Sequence, residues 1–172
     1  GLGLPTAQSH QVLEWVLQWT GGHPYLTQRL CSILQSQAQS SWTKADIDTV
    51  VNSTFFGKNS EQDNNLQFVR DMLTKRAPDL VGVLTTYGEI RRGKRPVFDE
   101  EQSLVKSHLK LSGVVQRADE RAVLHVRNLI YREVFNLKWL QEHLPDTWWE
   151  RIKPAMPLIA ASLAVVMMGL AW

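Results

Sequence analysis

Apolar residues recur at helical spacing in the first part of the chain and predict three short helices. Gly21-Gly22 separates the first two helices, and Pro24 suits the first turn of the second. Thr43 with Asp46 resembles a capping box, which predicts the start of the third helix. The apolar faces of these helices consist of Val12, Leu13, Val16 and Leu17; Leu26, Leu30, Ile33 and Leu34; and Ile47, Val50 and Val51. We predict a three-helix unit over residues 1–58, with the first helix spanning residues 11–19.

A second series of helices is predicted between residues 59 and 144. Ser60 with Asp63 forms another capping-box pair ahead of an apolar helical face. Pro78-Asp79 restarts the chain as a second helix, and Asp99 is predicted to cap a third helix that ends at Gly113. The glycine at residue 57 and the polar residues after it are predicted to form a linker between the two units.

Alternating apolar residues follow the third of these helices. Residues 114–117 and 122–126 flank a polar turn and predict a β-hairpin, and Val97-Phe98 is predicted to be a very short strand. Asn128 is predicted to start one long final helix that continues to Leu140. Three helices, a hairpin and a closing helix in this order are typical of a winged-helix domain. We expect Leu109, Leu111, Ile130 and Phe135 in its core.

The C-terminal end of the chain is uniformly apolar. Residues 155–172 carry no charge, and as a helix they would measure about 27 Å, close to the thickness of a bilayer core. Arg151 and Lys153 precede this stretch and would remain on the cytoplasmic side. We therefore predict a juxtamembrane segment and a transmembrane helix over residues 145–172, which anchor a soluble body in the cytoplasm. The alternative is a buried C-terminal helix. The predicted fold class is mainly α: a bundle of three helices, a winged-helix domain with a β-hairpin wing, and this C-terminal transmembrane helix.

Composition and motifs provide no catalytic machinery. Hydrophobic residues make up 44% of the chain and the net charge is +2, which is too small to indicate a nucleic-acid partner. Cys31 is the sole cysteine, so intrachain disulfides and cysteine-based metal clusters are excluded. The sequence contains no G-x-x-x-x-G-K-[ST] loop, no zinc-type spacing and no G-x-S-x-G elbow. The start at Gly1 without a signal peptide favours a segment of a longer protein.

The glycine pair lies in an informative stretch, T-G-G-H-P-Y-L. Glycines allow close backbone approach, and the N-terminus of the following helix offers N–H groups to an anion such as a nucleotide phosphate. The alternative is a tight turn between two helices with no ligand.

Four stretches in order resemble a known family. The residues from Thr20 to Cys31, T-G-G-H-P-Y-L-T-Q-R-L-C, resemble the lid-helix motif of AAA-like P-loop ATPases of the signal-transduction (STAND) type. The winged-helix segment of that group is similar to N-L-Q-F-V-R-D-M-L, L-K-L-S-G-V-V and V-R-N-L-I-Y-R-E-V-F-N-L-K-W-L, and the resemblance spans residues 13–144.

The resemblance implies a regulatory role. In such ATPases a lid folds over the nucleotide, a winged helix reports its state, and a separate core carries the Walker motifs. This chain lacks that core, so it is expected to be no enzyme and to bind no cofactor alone, whereas the intact ATPase would use ATP or ADP with magnesium. Gly21, Gly22, His23 and Pro24 would lie nearest the nucleotide. Its expected partners are the missing nucleotide-binding core, the membrane and an unknown effector or sensor domain.

A basic turn allows further hypotheses. It offers four cations to phosphate or to anionic lipid headgroups: Arg91, Arg92, Lys94 and Arg95. The rival function is a membrane-anchored winged-helix DNA-binding transcription regulator. The helix in the recognition position, residues 99–111, begins with the acidic residues Asp99, Glu100 and Glu101, which would repel DNA. The sequence therefore disfavours nucleic acid as a partner.

Overall fold

The computed structural model describes residues 5–37, 39–118 and 121–145, and these form a mainly helical structure with one two-stranded sheet. The elements in chain order are α1 (Thr6–Thr20), α2 (Pro24–Gln37), α3 (Lys44–Phe55), a 3-10 helix (Gly57–Glu61), α4 (Asn64–Leu73), α5 (Leu80–Arg92), α6 (Leu104–Leu111), β1 (Val115–Ala118), β2 (Val123–Val126), α7 (Leu129–Val134) and α8 (Leu137–His143).

Helices α1 to α3 pack on one another as the first group of elements. The predicted capping box is confirmed: the Thr43 side chain accepts from the Asp46 backbone N–H, and the Asp46 carboxylate accepts from the Thr43 backbone N–H. Helix α1 begins five residues earlier than predicted, at Thr6. Its buried face is narrower than predicted, because Leu13 and Leu17 are 41% and 40% exposed.

Helices α4 to α6 begin at caps that differ in part from those predicted. Asp63 itself caps α4, since its side chain accepts from the N–H groups of Asn65 and Leu66, while the Ser60 hydroxyl donates to the Gly57 carbonyl inside the 3-10 helix. The predicted linker at residues 57–59 is therefore part of a helix. Asp99 was also wrongly predicted as a cap, because the side chain of Ser103 caps α6.

The hairpin is present, with β1 antiparallel to β2 and Val115 opposite Val126. Phe98 adds an isolated antiparallel bridge to Val123, and the Leu124 N–H donates to the Val97 carbonyl at 2.8 Å. The short strand predicted at Val97-Phe98 is therefore reduced to a single bridge at the edge of the hairpin.

The predicted long final helix is divided into α7 and α8. Phe135 leaves the helical conformation (φ −95°, ψ 56°). Asn136 then caps the N-terminus of α8, because its side chain accepts from the Trp139 N–H. Asparagine competes well for a backbone N–H at a cap, which explains why the chain restarts here. Asn128 caps α7 as predicted.

The buried apolar residues form one continuous cluster through the first group of elements and through the second group, which comprises α4 to α8 and the hairpin. Leu109, Ile130 and Phe135 belong to it, as predicted, whereas Leu111 is 77% exposed and was wrongly assigned to the core. Helix α1 packs on α7, so the two groups are in direct contact. The division at residue 58 into a lid domain (residues 1–58) and a winged-helix domain (residues 59–144) stays a prediction.

The fold class predicted from the sequence is corrected. No helix in the described parts of the chain is long and apolar enough to cross a membrane, and α1, the longest of them, has 15 residues. The span predicted over residues 155–172 lies outside the described residues, as does nearly all of the predicted segment at residues 145–172. The fold that the structure describes is mainly α with a small antiparallel sheet, and the transmembrane helix is removed from the fold class.

Candidate functional site

The glycine turn between α1 and α2 lies against the second group of elements. Gly21 ends α1 in the left-handed conformation (φ 56°), and its N–H donates to the Leu17 carbonyl at 2.8 Å. A Cβ atom on Gly21 would lie 2.6 Å from the carbonyl oxygen of Arg127. Only glycine permits this approach, because any side chain would collide with the backbone between β2 and α7.

His23 makes the next contact across the same interface. Its Nε2 lies 3.1 Å from the hydroxyl of Tyr131 on α7, and the two rings meet edge to face at 5.7 Å. The Tyr131 hydroxyl in turn donates to Oδ1 of Asn65 at 2.8 Å. The Leu26 N–H points at Nδ1 of His23 over a long 3.5 Å. These partners assign the neutral tautomer that carries its hydrogen on Nε2 and donates it to Tyr131.

A buried carboxylate connects α2 to α4 nearby. Asp63 is fully buried, and its Oδ2 lies 3.2 Å from both Nη1 of Arg29 and the hydroxyl of Tyr25. Its Oδ1 accepts from the Asn65 and Leu66 N–H groups, each at 2.9 Å. A buried carboxylate is tolerated only with such partners. The polar junction, as we name it, comprises His23, Tyr25, Arg29, Asp63, Asn65 and Tyr131.

The surroundings of the polar junction shift two titrations. Burial, and then the positive charge of Arg127, lower the pKa of His23 below its ordinary value, although a backbone hydrogen bond opposes them. Burial raises the pKa of Tyr131 to about 12. Both side chains are therefore neutral near pH 7, and the hydrogen bonds between them are bonds between neutral groups.

Three buried donors around the polar junction have no hydrogen-bond partner in the described part of the chain: Nε of Arg29, Nε of Arg127 and Nδ2 of Asn128. Unpaired buried donors are uncommon and destabilise the arrangement that holds them. Some hydrogen-bond donors are therefore buried without a partner where the two groups of elements meet.

The four residues predicted to lie nearest a nucleotide share this turn but differ in surroundings. Gly21 is exposed but lies against the Arg127 carbonyl, and the half-buried His23 faces Tyr131. Gly22 and Pro24 are exposed, and Gly22 has open space around it. Pro24 has no N–H, and the Leu26 N–H points at His23. The helix end thus offers an anion fewer free donors than expected, and the nucleotide-proximal role of these residues stays a prediction.

Several residues of the polar junction carried no functional signal in the sequence. Asp63 reads as a capping residue, which is part of its role, and Tyr131 reads as an apolar core residue. Their pairing with Arg29 and His23 depends on the tertiary structure, which brings positions far apart in the sequence together. A tyrosine on the buried face of a helix was the one available signal, because a buried hydroxyl needs a partner.

The basic turn is divided between two environments. The Arg91 guanidinium donates through Nε to the Arg132 carbonyl at 3.0 Å, so it faces α7. Arg92, Lys94 and Arg95 are exposed and line a surface cavity with Glu89. The phosphate or lipid contact predicted for these residues has no test in the structure and stays a prediction.

The two lysines of α6 pair with acidic residues of the segment that precedes the helix. Lys110 lies 2.7 Å from Asp99, and Lys106 lies 2.7 Å from Glu100. Leu104 and Leu111, seven residues apart, are 68% and 77% exposed. The described residues include no group of three metal-ligating side chains.

One stretch matches the spacing of a phosphate-binding loop without its structure. Gly88, Gly93 and Lys94 are spaced as in G-x-x-x-x-G-K, but Arg95 replaces the serine or threonine that would bind magnesium. Gly88 lies inside α5, and Gly93 ends that helix. A phosphate-binding loop precedes a helix, so this stretch has the wrong backbone for that purpose.

The sequence is similar to a small part of a much longer protein. It is 27% identical over 154 residues to an uncharacterized WD repeat-containing protein from Synechocystis, a match that covers 84% of this chain. The chain spans only 12% of that relative's length. No protein-family model matches the sequence, and no solved structure matches it.

Proposed function

We propose that this chain is a non-catalytic regulatory segment of a larger STAND- or AAA-like signalling ATPase, in which a helical lid and a winged helix couple nucleotide state to partner contact. The observation that carries the proposal is the hydrogen-bonded path from His23 through Tyr131 to Asn65. This path joins the turn with the lid-type motif to both α7 and α4. A ligand that moves the turn must therefore change contacts in the second group of elements.

The coupling would act by population shift. A nucleotide held by a separate core would favour one position of the glycine turn over another, and its differential affinity sets how far the equilibrium moves. Neutral hydrogen bonds are individually weak, so such an equilibrium can be shifted by a ligand.

The comparison supports the proposal that this chain is a segment of a larger protein. The Synechocystis relative is a WD repeat-containing protein, and the chain corresponds to a small part of it. We infer that WD repeats are the effector or sensor region in the polypeptide to which this segment belongs.

The rival function as a DNA-binding regulator gains no support from α6. The two lysines of that helix already pair with Asp99 and Glu100, and its exposed residues include two leucines rather than base-reading polar groups.

The coding sequence on both sides of this segment gives the first test. A P-loop motif within about 200 residues before Gly1 is expected, and its absence would overturn the proposal. The encompassing polypeptide is then compared by hydrogen exchange with MgADP and with a non-hydrolysable MgATP analogue. We expect exchange at residues 20–27 and 128–134 to change together. Unchanged exchange at both segments would contradict the coupling.

The 172-residue chain alone is the matched control. We expect calorimetry to detect no MgATP binding at micromolar affinity, because the sequence has no phosphate-binding loop. Micromolar binding would mean that the chain holds a nucleotide site of its own and that the missing-core proposal is wrong.

A further inference from the structure

A groove at the other edge of the interface is lined by aromatic rings and carboxylates. It measures about 470 Å³ and lies between Trp19 and Phe56 of the first group and α7 and α8 of the second. Trp139 and Glu142 of α8 also line a neighbouring cavity, so the groove extends along that helix.

Its aromatic walls are held in fixed orientations. The indole N–H of Trp19 donates to Asp48 at 2.7 Å, and the Trp19 ring meets Phe56 edge to face at 6.0 Å. Trp139 packs edge to face on the buried Phe135 at 5.0 Å, and one of its faces is stacked on His143 at 4.1 Å, which leaves the opposite face for a ligand. Rings that are already positioned lose little entropy when a ligand binds between them.

The charges of the groove favour a cation. Glu133 is exposed, and no described basic group pairs with it. Glu142 has only Lys138 at 3.9 Å, and both side chains are more than half exposed. Exposed pairs at that distance are weak. The groove therefore has a net negative charge, because Glu133 and Glu142 are opposed by Lys138 alone, and both carboxylates lie beside indole rings.

We propose that this groove binds an arginine or lysine side chain presented by an extended basic segment of a partner protein. A guanidinium can stack on an indole while its N–H groups donate to Glu133 or Glu142. Because residues of both groups line the groove, an occupant stabilises their present arrangement over any separated one. The inference goes beyond the proposed function and needs no nucleotide.

The test uses the 172-residue chain and two capped peptides, Ac-GRGGRG-NH₂ and its glutamine counterpart Ac-GQGGQG-NH₂. Binding is followed by NMR of the tryptophan indole groups, with Trp19→Phe and Trp139→Phe to assign the signals. We expect the arginine peptide to shift both indole signals and the glutamine peptide to bind at least about tenfold more weakly. Equal affinity of the two peptides would overturn the proposal, as would shifts confined to other tryptophans.

Charge variants separate the groove from the rest of the surface. Glu133→Gln combined with Glu142→Gln should weaken the arginine peptide about tenfold. The matched control is Glu14→Gln, an exposed change on α1 outside the groove, which should leave the affinity unchanged. All three positions are exposed, so folding is retained. An unchanged affinity in the double variant, or an equal loss in Glu14→Gln, would contradict the proposal.

Discussion

Replacing Tyr131 by phenylalanine removes one hydroxyl from the centre of the polar junction and leaves the ring in place. That hydroxyl makes hydrogen bonds of 3.1 Å with His23 and 2.8 Å with Asn65, and the residue is fully buried. A buried hydrogen bond contributes about 0.5–1.5 kcal/mol, and a partner left unpaired costs about 1–3 kcal/mol. Because Asn65 is partly accessible to water, we expect Tyr131→Phe to lower the free energy of unfolding by about 1–3 kcal/mol.

Urea denaturation at pH 8, followed by far-UV circular dichroism, measures this loss. The matched control is Tyr87→Phe, because Tyr87 is equally buried but its hydroxyl makes one long bond of 3.4 Å to the Tyr131 carbonyl. That change should cost under about 1 kcal/mol. If Tyr131→Phe costs no more than Tyr87→Phe, the hydroxyl does not hold the two groups together and the reasoning fails.

Three further predictions concern the turn, its histidine and the core. Gly21→Ala should lower the free energy of unfolding by more than about 2 kcal/mol, because the added Cβ collides with the Arg127 carbonyl in addition to the strain of a positive φ. Gly22→Ala is the control, because it introduces only the strain of a positive φ and should cost about 1 kcal/mol. Equal melting temperatures of the two variants would contradict this difference. The pKa of His23 is lowered in the folded state, so its contribution to the free energy of unfolding is complete above pH 6.5 and declines as the pH falls through 6.5 toward the folded-state pKa. Urea denaturation at pH 8 and at pH 5 should therefore show a smaller loss of stability for His23→Gln than for the parent chain. Identical losses would refute the assignment. Phe135→Ala should cost about 3–5 kcal/mol, whereas Leu111→Ser should change stability by less than about 0.5 kcal/mol in the same assay.

The elements that the sequence predicted well are those with local causes. The capping box at Thr43 and the cap at Asn128 each depend on residues within one helical turn, and the apolar spacing of α2 and α3 has the same short range. The order of helices and hairpin could be predicted for that reason. The missed break at Phe135 is also local in cause, but a continuous apolar pattern through α7 and α8 concealed the cap at Asn136.

The polar junction could not be predicted because its contacts join distant positions. His23 and Asp63 each have an adequate local role, at a turn and at a helix start, so nothing in their neighbourhood requires a distant partner. Leu111 shows the opposite error. It continues the apolar spacing of α6, yet 77% of the residue is exposed. Which helical face is covered depends on tertiary packing.

The contact between His23 and Tyr131 joins residues 108 positions apart, and this separation affects the order of events during synthesis. At about 5–20 residues per second, about 5–20 s pass between the addition of His23 and that of Tyr131. Tyr25 and Asp63 are only 38 positions apart, so the acidic side of the polar junction can form several seconds earlier. During synthesis α1 and α2 therefore leave the ribosome before α7, and the imidazole of His23 is in contact with water until α7 also emerges. Docking of α7 is therefore a late, non-local step of folding.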